Sequence, residues 1–395
     1  MNVDELVRDS LREQATEQRP LGPGFADRVL TARRRRRTRT LASLAAATTA
    51  VVAFAVAVPM LESGNDGARL ATEANQSDVI AHPDQSPPRD LIAAGDVALA
   101  AYYTWKNVEQ TDDRAVGVRE YRLLNQKTGK YEKTTKWSFI DIAPGMRTAA
   151  VLEKDLPTQR IGLLNLLTGE VERWIPVDRG VAGVSFSPDG GKLVATTYKA
   201  NPDLRFKVDY DSDGDGKNND YDQSHDQPRT GFYVIDVATG KGSWSEVLEE
   251  NVRNARQDFA FSHDGKLVYS GLAMEPLMQY YDFKGSKVDR PANERYTQWY
   301  VDAGVSPNGR LVANDGGAVL DAYAGVRIAD VPGYTPLAWV DDKRLILWYS
   351  EPGENEHHTR LVLATIGSDK LVRLSGALKG NDGAPGQWTP IFAER

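Results

Sequence analysis

A short turn sequence recurs along the chain, and it constrains the fold more than any other feature. Its clearest copies are FSPDG at residues 186–190, FSHDG at 261–265 and VSPNG at 305–309. In such a turn proline fixes φ, Asp or Asn hydrogen-bonds to the nearby backbone, and Gly adopts a positive φ. An apolar strand precedes each copy and another follows it. Each copy therefore predicts a tight turn between two antiparallel strands.

The repeat has the spacing of a propeller blade. Two weaker copies raise the number of aligned turn positions to five, which are Gly145, Asp189, Asp264, Asn308 and Asp342. Successive positions are 44, 75, 44 and 34 residues apart. Four strands in about 40 residues form one blade of a β-propeller. The spacing of 75 residues indicates an insertion between the second and third strands of one unit.

The F-S-P-D-G-x-x-L pattern resembles the WD40-like repeats of bacterial TolB-type propellers, over residues 91–395. The layout of the chain also resembles single-span actinobacterial membrane proteins with an external WD40-like domain. The repeats predict an all-β fold with six blades, or seven if the linker and the C-terminal tail add strands. The first unit (Val97 to Thr134) lacks its first strand, and the stretch from Gln387 to Ala393 is expected to supply it and close the ring.

Residues 41–61 form an uncharged apolar segment, LASLAAATTAVVAFAVAVPML. As an α-helix its 21 residues span about 31 Å, which matches a hydrocarbon core of about 30 Å. Six arginines stand just before it (residues 33–37 and 39), and Glu62 and Asp66 follow it. By the positive-inside rule we predict one transmembrane helix, a cytoplasmic basic tail over residues 1–40 and an extracellular C-terminal domain.

Two other interpretations of residues 41–61 are a buried core helix and a cleaved signal peptide. A core helix would carry polar residues on one face, whereas this stretch has only Ser and Thr. The sequence Ala55-Val56-Ala57 resembles a cleavage site, but 40 preceding residues are many for a signal peptide. An uncleaved anchor is therefore favoured. Residues 62–90, rich in small polar residues and proline, are predicted to be a flexible linker.

The N-terminal tail contains two short amphipathic stretches, residues 4–14 and 24–37. Both are too short to be stable helices alone. They are predicted to lie against anionic lipid, with the arginine run setting the topology. The alternative is a docking peptide for a cytoplasmic partner.

Charge and composition exclude several classes of function. Residues 1–40 have a net charge of +4 and the remaining residues a net charge of −11, so the main domain would repel nucleic acid. The chain has no cysteine, which excludes disulfides, zinc–thiolate sites and thiol nucleophiles. It also lacks the G-x-S-x-G, H-E-x-x-H and P-loop motifs. We expect no enzyme activity and assign no catalytic residue.

The insertion carries the acidic run DYDSDGDGKNNDYD at residues 209–222. This run resembles an EF-hand or dockerin-type calcium loop, with Asp222 at position twelve and Lys217 contributing its carbonyl oxygen. The predicted Ca²⁺ ligands are Asp211, Asp213, Asp215, Lys217, Asn219 and Asp222. The alternative is an acidic loop without metal. Eight carboxylates between residues 203 and 226 would repel one another without a cation, which favours the metal.

These observations favour a membrane-anchored extracytoplasmic propeller that acts as a non-catalytic binding, scaffold or sensing module. Its partner would be a protein or a cell-envelope component. A second hypothesis is a transmembrane regulator of the anti-sigma type, whose N-terminal tail binds a cytoplasmic transcription factor. A third is an enzyme that uses the axial channel. Five histidines, none in a predicted strand core, argue against that third hypothesis.

Overall fold

The computed structural model describes residues 79–210, 220–223, 229–248, 256–272, 275–355, 357–379 and 386–395. The predicted N-terminal tail, the predicted transmembrane helix and residues 62–78 of the predicted linker lie outside this part of the chain. Within the described residues, no helix has the length and apolar composition that crossing a bilayer requires. The described chain is all-β, as predicted, with two 3-10 helices at Ala292–Glu294 and Asp315–Gly317.

The first unit is built around a long hairpin. Its strands are β1 (Val79–Ile80), β2 (Ala93–Ala94), β3 (Val97–Thr111), β4 (Arg114–Asn125) and β5 (Lys130–Thr134). The hairpin of β3 and β4 extends well beyond the residues that pair with β5. Residues 79–90, whose composition predicts a linker, carry β1 and belong to this folded unit. The Tyr102 hydroxyl donates a hydrogen bond of 2.7 Å to the Pro88 carbonyl.

The second and third units share one strand. The second unit contains β6 (Trp137–Ile142), β7 (Thr148–Glu153), β8 (Thr158–Asn165) and β9 (Glu170–Phe186). The first half of β9 pairs with β8, and its second half begins the third unit. That unit continues with β10 (Lys192–Tyr198), the insertion strands β11 (Leu204–Lys207) and β12 (Tyr221–Gln223), then β13 (Arg229–Asp236) and β14 (Gly242–Glu246).

The remaining units are shorter. The fourth contains β15 (Ala260–Phe261), β16 (Val268–Gly271), β17 (Met278–Tyr281) and β18 (Lys287–Val288). The fifth contains β19 (Leu311–Ala313), β20 (Ala318–Asp321) and β21 (Arg327–Asp330), with a single Val305–Val312 bridge in place of its first strand. The sixth contains β22 (Pro336–Asp341), β23 (Arg344–Tyr349), β24 (Arg360–Thr365) and β25 (Leu371–Arg373). The last strand is β26 (Thr389–Glu394).

The predicted turn chemistry is present at the repeat positions. In the third unit the Gly190 amide donates to the Ser187 carbonyl at 2.8 Å, and Asp189 accepts from the Gly191 amide at 2.9 Å. Gly190 has a φ of 68°, which a residue with a side chain adopts only with strain. The corresponding bonds of the fourth and fifth units are equivalent, so the prediction of recurring turns is confirmed.

The C-terminal strand closes the ring. β26 pairs with β3 from Thr389–Tyr103 to Glu394–Val97, which confirms the prediction that the C-terminal stretch completes the first unit. Apolar clusters join successive units, and one of them packs the sixth unit against the first. Between the fourth and fifth units, the His263 side chain hydrogen-bonds to the backbone of Pro307. The described residues therefore form the closed, six-unit arrangement of a β-propeller.

Candidate functional site

One face of the propeller carries all the long connections of the described chain. Because neighbouring strands are antiparallel, the loop between the second and third strands of a unit emerges on the same face as the connection to the next unit. We call this the loop face. It carries the tip of the β3–β4 hairpin, the described parts of the insertion (residues 199–210 and 220–223), the two ends of the next connection (247–248 and 256–259) and the described residues of the loop that follows β23 (350–355 and 357–359). The tight repeat turns lie on the opposite face.

The insertion of the third unit joins the hairpin of the first. β11 pairs antiparallel with β4 from Leu204–Val116 to Phe206–Arg114, and β12 pairs with β11. We call the outer part of the hairpin with β11 and β12 the cap sheet. Since it is held by the first and third units, it bridges two units that are not neighbours in sequence.

A group of buried and half-buried charges fastens the cap sheet to the propeller. We call Arg119, Asp203, Arg256 and Asp258 the arginine–aspartate cluster. Asp203 accepts from Arg119 Nη1 at 2.9 Å and from Arg256 Nε at 2.8 Å. Arg256 Nη1 also donates to Asp258 at 2.6 Å. Arg119 and Asp203 are each only 5% exposed.

Aromatic rings complete the surroundings of the cluster. The Arg119 guanidinium lies 4.0 Å from the ring centroid of Trp105, and Phe139 lies between the two arginines at 5.2 and 5.0 Å. Burial would raise the pKa of Asp203, but Arg256 and Arg119 together hold it below its usual value. Every charge in the cluster has a partner, so its role is to hold the cap sheet in position.

A cavity of about 390 Å³ opens on the loop face where the fifth unit, the sixth unit and the closing strand meet. We call it the Asp302 cavity. Asp302 lies in the connection to the fifth unit, and Gln387 and Trp388 precede β26. Trp348 lies just before the long loop of the sixth unit, and His357 lies in that loop. A recess with apolar walls and a few convergent polar groups is the usual form of a ligand site.

Asp302 lies at the exposed edge of this cavity. In the part of the chain that the structure describes, its carboxylate has no hydrogen bond or ion pair, and solvent reaches it. Asp141 is half-buried, and its burial raises its pKa to about 6. It accepts a hydrogen bond of 2.7 Å from the Phe186 amide. Water therefore solvates Asp302, whereas the protein itself holds Asp141.

Two indole rings form a fixed wall of the cavity. The rings of Trp348 and Trp388 lie edge to face with centroids 5.2 Å apart, and Tyr102 packs on Trp388 at 5.4 Å. Trp388 Nε1 donates to the Ser86 hydroxyl at 3.2 Å, and the Gln387 amide donates to the His357 carbonyl at 3.2 Å. These contacts hold the wall in place before any ligand binds, which lowers the entropic cost of binding.

The residues predicted to bind Ca²⁺ lie mostly outside the described chain. Five of the six predicted ligands are outside it, namely Asp211, Asp213, Asp215, Lys217 and Asn219. The sixth, Asp222, lies in β12, where it accepts from the Tyr210 hydroxyl at 2.9 Å. Among the described residues no group of three or more His, Asp or Glu side chains could hold a metal. The calcium site stays a prediction.

Sequence reasoning missed the Asp302 cavity. Asp302, Trp348 and Trp388 are separated by 46 and 40 residues in sequence and follow no motif. Their only sequence signal is position, since Asp302 lies in a connection on the loop face and Trp348 and Trp388 each lie at the end of a strand beside such a connection.

The chain is similar in structure to solved β-propellers. No family model and no curated protein matches the chain. The crystal structure of TolB from Acinetobacter baumannii superposes with a TM-score of 0.35 and 15% identity, covering 75% of this chain and 66% of that one. The Cps50 (Swd1) β-propeller domain of Myceliophteria thermophila gives 0.36 and 11%, covering 74% and 91%. At these values the fold assignment depends on the strand pairing of the chain itself.

Proposed function

We propose that the chain is a membrane-anchored, extracytoplasmic binding module that recognises a protein or cell-envelope ligand on its loop face. The observation that supports this most is the Asp302 cavity, with its fixed aromatic wall. A cavity with a preorganised aromatic wall can bind a ligand at a low entropic cost. The closed ring of sheets supplies a rigid support for the wall.

Cross-linking on living cells tests this proposal directly. A photo-reactive amino acid at Thr359, which lines the cavity, should capture the ligand. The same substitution at Lys266, an exposed residue on the opposite face, is the matched control. We expect a specific adduct from position 359 and none from position 266. Capture from position 266 alone, or from neither, would contradict binding at the loop face.

The proposed anchoring depends on the apolar segment at residues 41–61 and the arginines before it. Proteolysis of intact cells tests the orientation. External protease should separate the propeller from the cells and leave an N-terminal tag protected. A tag that is cleaved while the propeller is protected would reverse the topology, and recovery of the intact chain in the soluble fraction would remove the anchor.

A further inference from the structure

We propose that the loop face binds a neutral glycan through three exposed aromatic side chains, Trp299, Tyr300 and Tyr334. We call these three residues the aromatic platform. The inference rests on the proposed binding function of the loop face and names the chemical class of its ligand. It follows from the exposure of the rings, from the contacts that hold them and from the charge around them.

The rings of the platform are exposed although they are large. Trp299 is 37% exposed, Tyr300 44% and Tyr334 48%. Trp299 and Tyr300 occupy the two central positions of a tight turn, in which the Val301 amide donates to the Gln298 carbonyl at 3.0 Å. Gly, Pro and small polar residues are usual at such positions, because they suit the turn geometry. Two adjacent aromatic side chains at the tip of a turn are instead typical of a binding surface.

Hydrogen bonds between three segments of the loop face hold the platform. The Asp315 amide, between β19 and β20, donates to Oε1 of Gln298 at 3.0 Å. The Tyr334 carbonyl, between β21 and β22, accepts from the Gly316 amide at 2.6 Å. The Tyr334 amide donates to the Trp348 carbonyl at 2.8 Å. The platform is therefore fixed beside the Asp302 cavity, which Trp348 also lines.

The indole ring of Trp299 packs on the fourth unit. Gly271, the last residue of β16, lies against it, and a Cβ atom at that position would come within 2.7 Å of the ring. The Tyr300 ring meets the indole edge to face, with centroids 5.6 Å apart and 87° between the ring planes. The two rings form the sides of a corner whose position is set before any ligand binds, which lowers the entropic cost of binding.

A pyranose ring matches such a corner. The C–H bonds on one face of the sugar carry a small positive charge, and the face of an aromatic ring is negative. Stacking removes apolar surface of both rings from water and leaves the sugar hydroxyls at the edge free to hydrogen-bond. The exposed carboxylate of Asp315 can accept from such hydroxyls. Asp315 lies close to Tyr300, because its charge, after burial, raises the pKa of that tyrosine.

The surroundings of the platform favour a neutral glycan over other ligands. Residues 41–395 have a net charge of −11, which would repel acidic polysaccharides. The exposed aliphatic side chains described for the fifth unit, Val326 and Ile328, lie at its outer edge, beside or within β21. The platform therefore presents flat rings without exposed aliphatic neighbours. Flat rings suit stacking on a sugar better than the insertion of a peptide side chain.

The experiment uses the full-length protein in dodecyldimethylamine oxide, a detergent without a sugar headgroup. Calorimetric titration with the hexasaccharides of β-1,4-glucan, α-1,4-glucan, β-1,4-mannan and chitin should show saturable binding of at least one. Tyr300→Ala and Tyr334→Ala should each weaken that binding about tenfold, as expected for an aromatic contact at the centre of a site. Tyr323→Ala is the matched control and should bind as wild type. It removes a tyrosine of the same unit that is 59% exposed, in the turn between β20 and β21 on the opposite face.

Salt dependence is a second readout. Affinity should be the same at about 50 mM and about 500 mM NaCl, because salt does not screen the contacts of an uncharged sugar. Hexagalacturonate, which carries carboxylates, should not bind. The neutral glycan would be refuted by the absence of binding up to about 10 mM of all four saccharides, or by tighter binding of hexagalacturonate. An equal loss of affinity in Tyr323→Ala would refute the platform as the site.

Failure of the inference and failure of the proposed function give different results. If position 359 still captures a ligand on cells while no saccharide binds, the glycan is wrong and loop-face recognition stands. If position 359 captures nothing, the proposed function itself is contradicted.

Discussion

The substitution Asp203→Asn removes the charge that holds the cap sheet in place. Asp203 accepts four hydrogen bonds, two from Arg119 at 2.9 and 3.4 Å and two from Arg256 at 2.8 and 2.9 Å. Asparagine has the same shape but a single acceptor oxygen and no charge. After the change Arg256 keeps Asp258 as its anion, whereas Arg119 has no anion left and keeps the neutral Ser138 carbonyl at 3.4 Å.

The expected loss of stability is about 3 kcal/mol. Removing one member of a buried ion pair costs about 3–5 kcal/mol, because the remaining charge is left without compensation. Two features reduce the loss toward the lower end of this range. Arg256 remains paired, and Arg119 still stacks on Trp105, a contact of about 0.5–2 kcal/mol. The depth of burial means that solvent screening does not reduce the loss further.

Urea unfolding of the full chain in detergent, followed by tryptophan fluorescence, measures this loss. Glu120→Gln is the matched control, because Glu120 is the next residue of β4 and also bridges two cations, Lys106 and Lys133. Those lysines are about half exposed, so solvent screens the pair and the loss should be much smaller. Equal losses for the two variants, or a loss below about 1 kcal/mol for Asp203→Asn, would refute the assigned role of the cluster.

Wild type and Asp203→Asn should also differ in how their free energies of unfolding depend on pH. The two arginines lower the pKa of Asp203 in the folded state despite its burial. Its contribution is therefore complete above the ordinary Asp value of about 3.9 and is lost as the pH falls through the lower folded value. The stability difference between wild type and Asp203→Asn should be constant from about pH 5 to 8 and shrink below about pH 4. A difference that shrinks near neutrality would assign the effect to another group.

Three further predictions concern the closing strand, the turns and the insertion. Trp388→Ala should cost about 3–5 kcal/mol in thermal unfolding, because Trp388 is 4% exposed and packs across the closure; a loss below about 1 kcal/mol would contradict this. Gly231→Ala should destabilise more than Gly145→Ala, since an added Cβ collides with the Ser245 carbonyl only at position 231; equal unfolding midpoints would refute the comparison. Calorimetric titration with CaCl₂ should release or absorb heat that Asp222→Ala reduces, and no heat at millimolar Ca²⁺ would remove the calcium site.

The repeat could be predicted from the sequence because the residues that form each turn are close together in the chain. Ser187, Asp189 and Gly190 interact within five residues, so their types and spacing specify the turn without knowledge of the rest of the fold. The missing first strand of the first unit was also readable. A ring of sheets leaves an edge unpaired unless the C-terminal stretch fills it, and β26 does so.

The cap sheet and the Asp302 cavity were not readable because their contacts are distant in sequence. Arg119 and Asp203 are 84 residues apart, and neither belongs to the recurring turn sequence. Their meeting requires that β11 of the third unit reach β4 of the first, which depends on how far the hairpin extends beyond the ring. The spacing of 75 residues indicated that an insertion exists, but it contains no information on where the insertion packs.

The acidic site at Asp203 illustrates how a buried charge is used on the loop face. At Asp203 the chain itself supplies the cations, and the forked geometry of two guanidiniums fixes the cap sheet relative to the third and fourth units. A buried pair of this kind adds orientation more than net stability, because desolvation offsets much of its attraction.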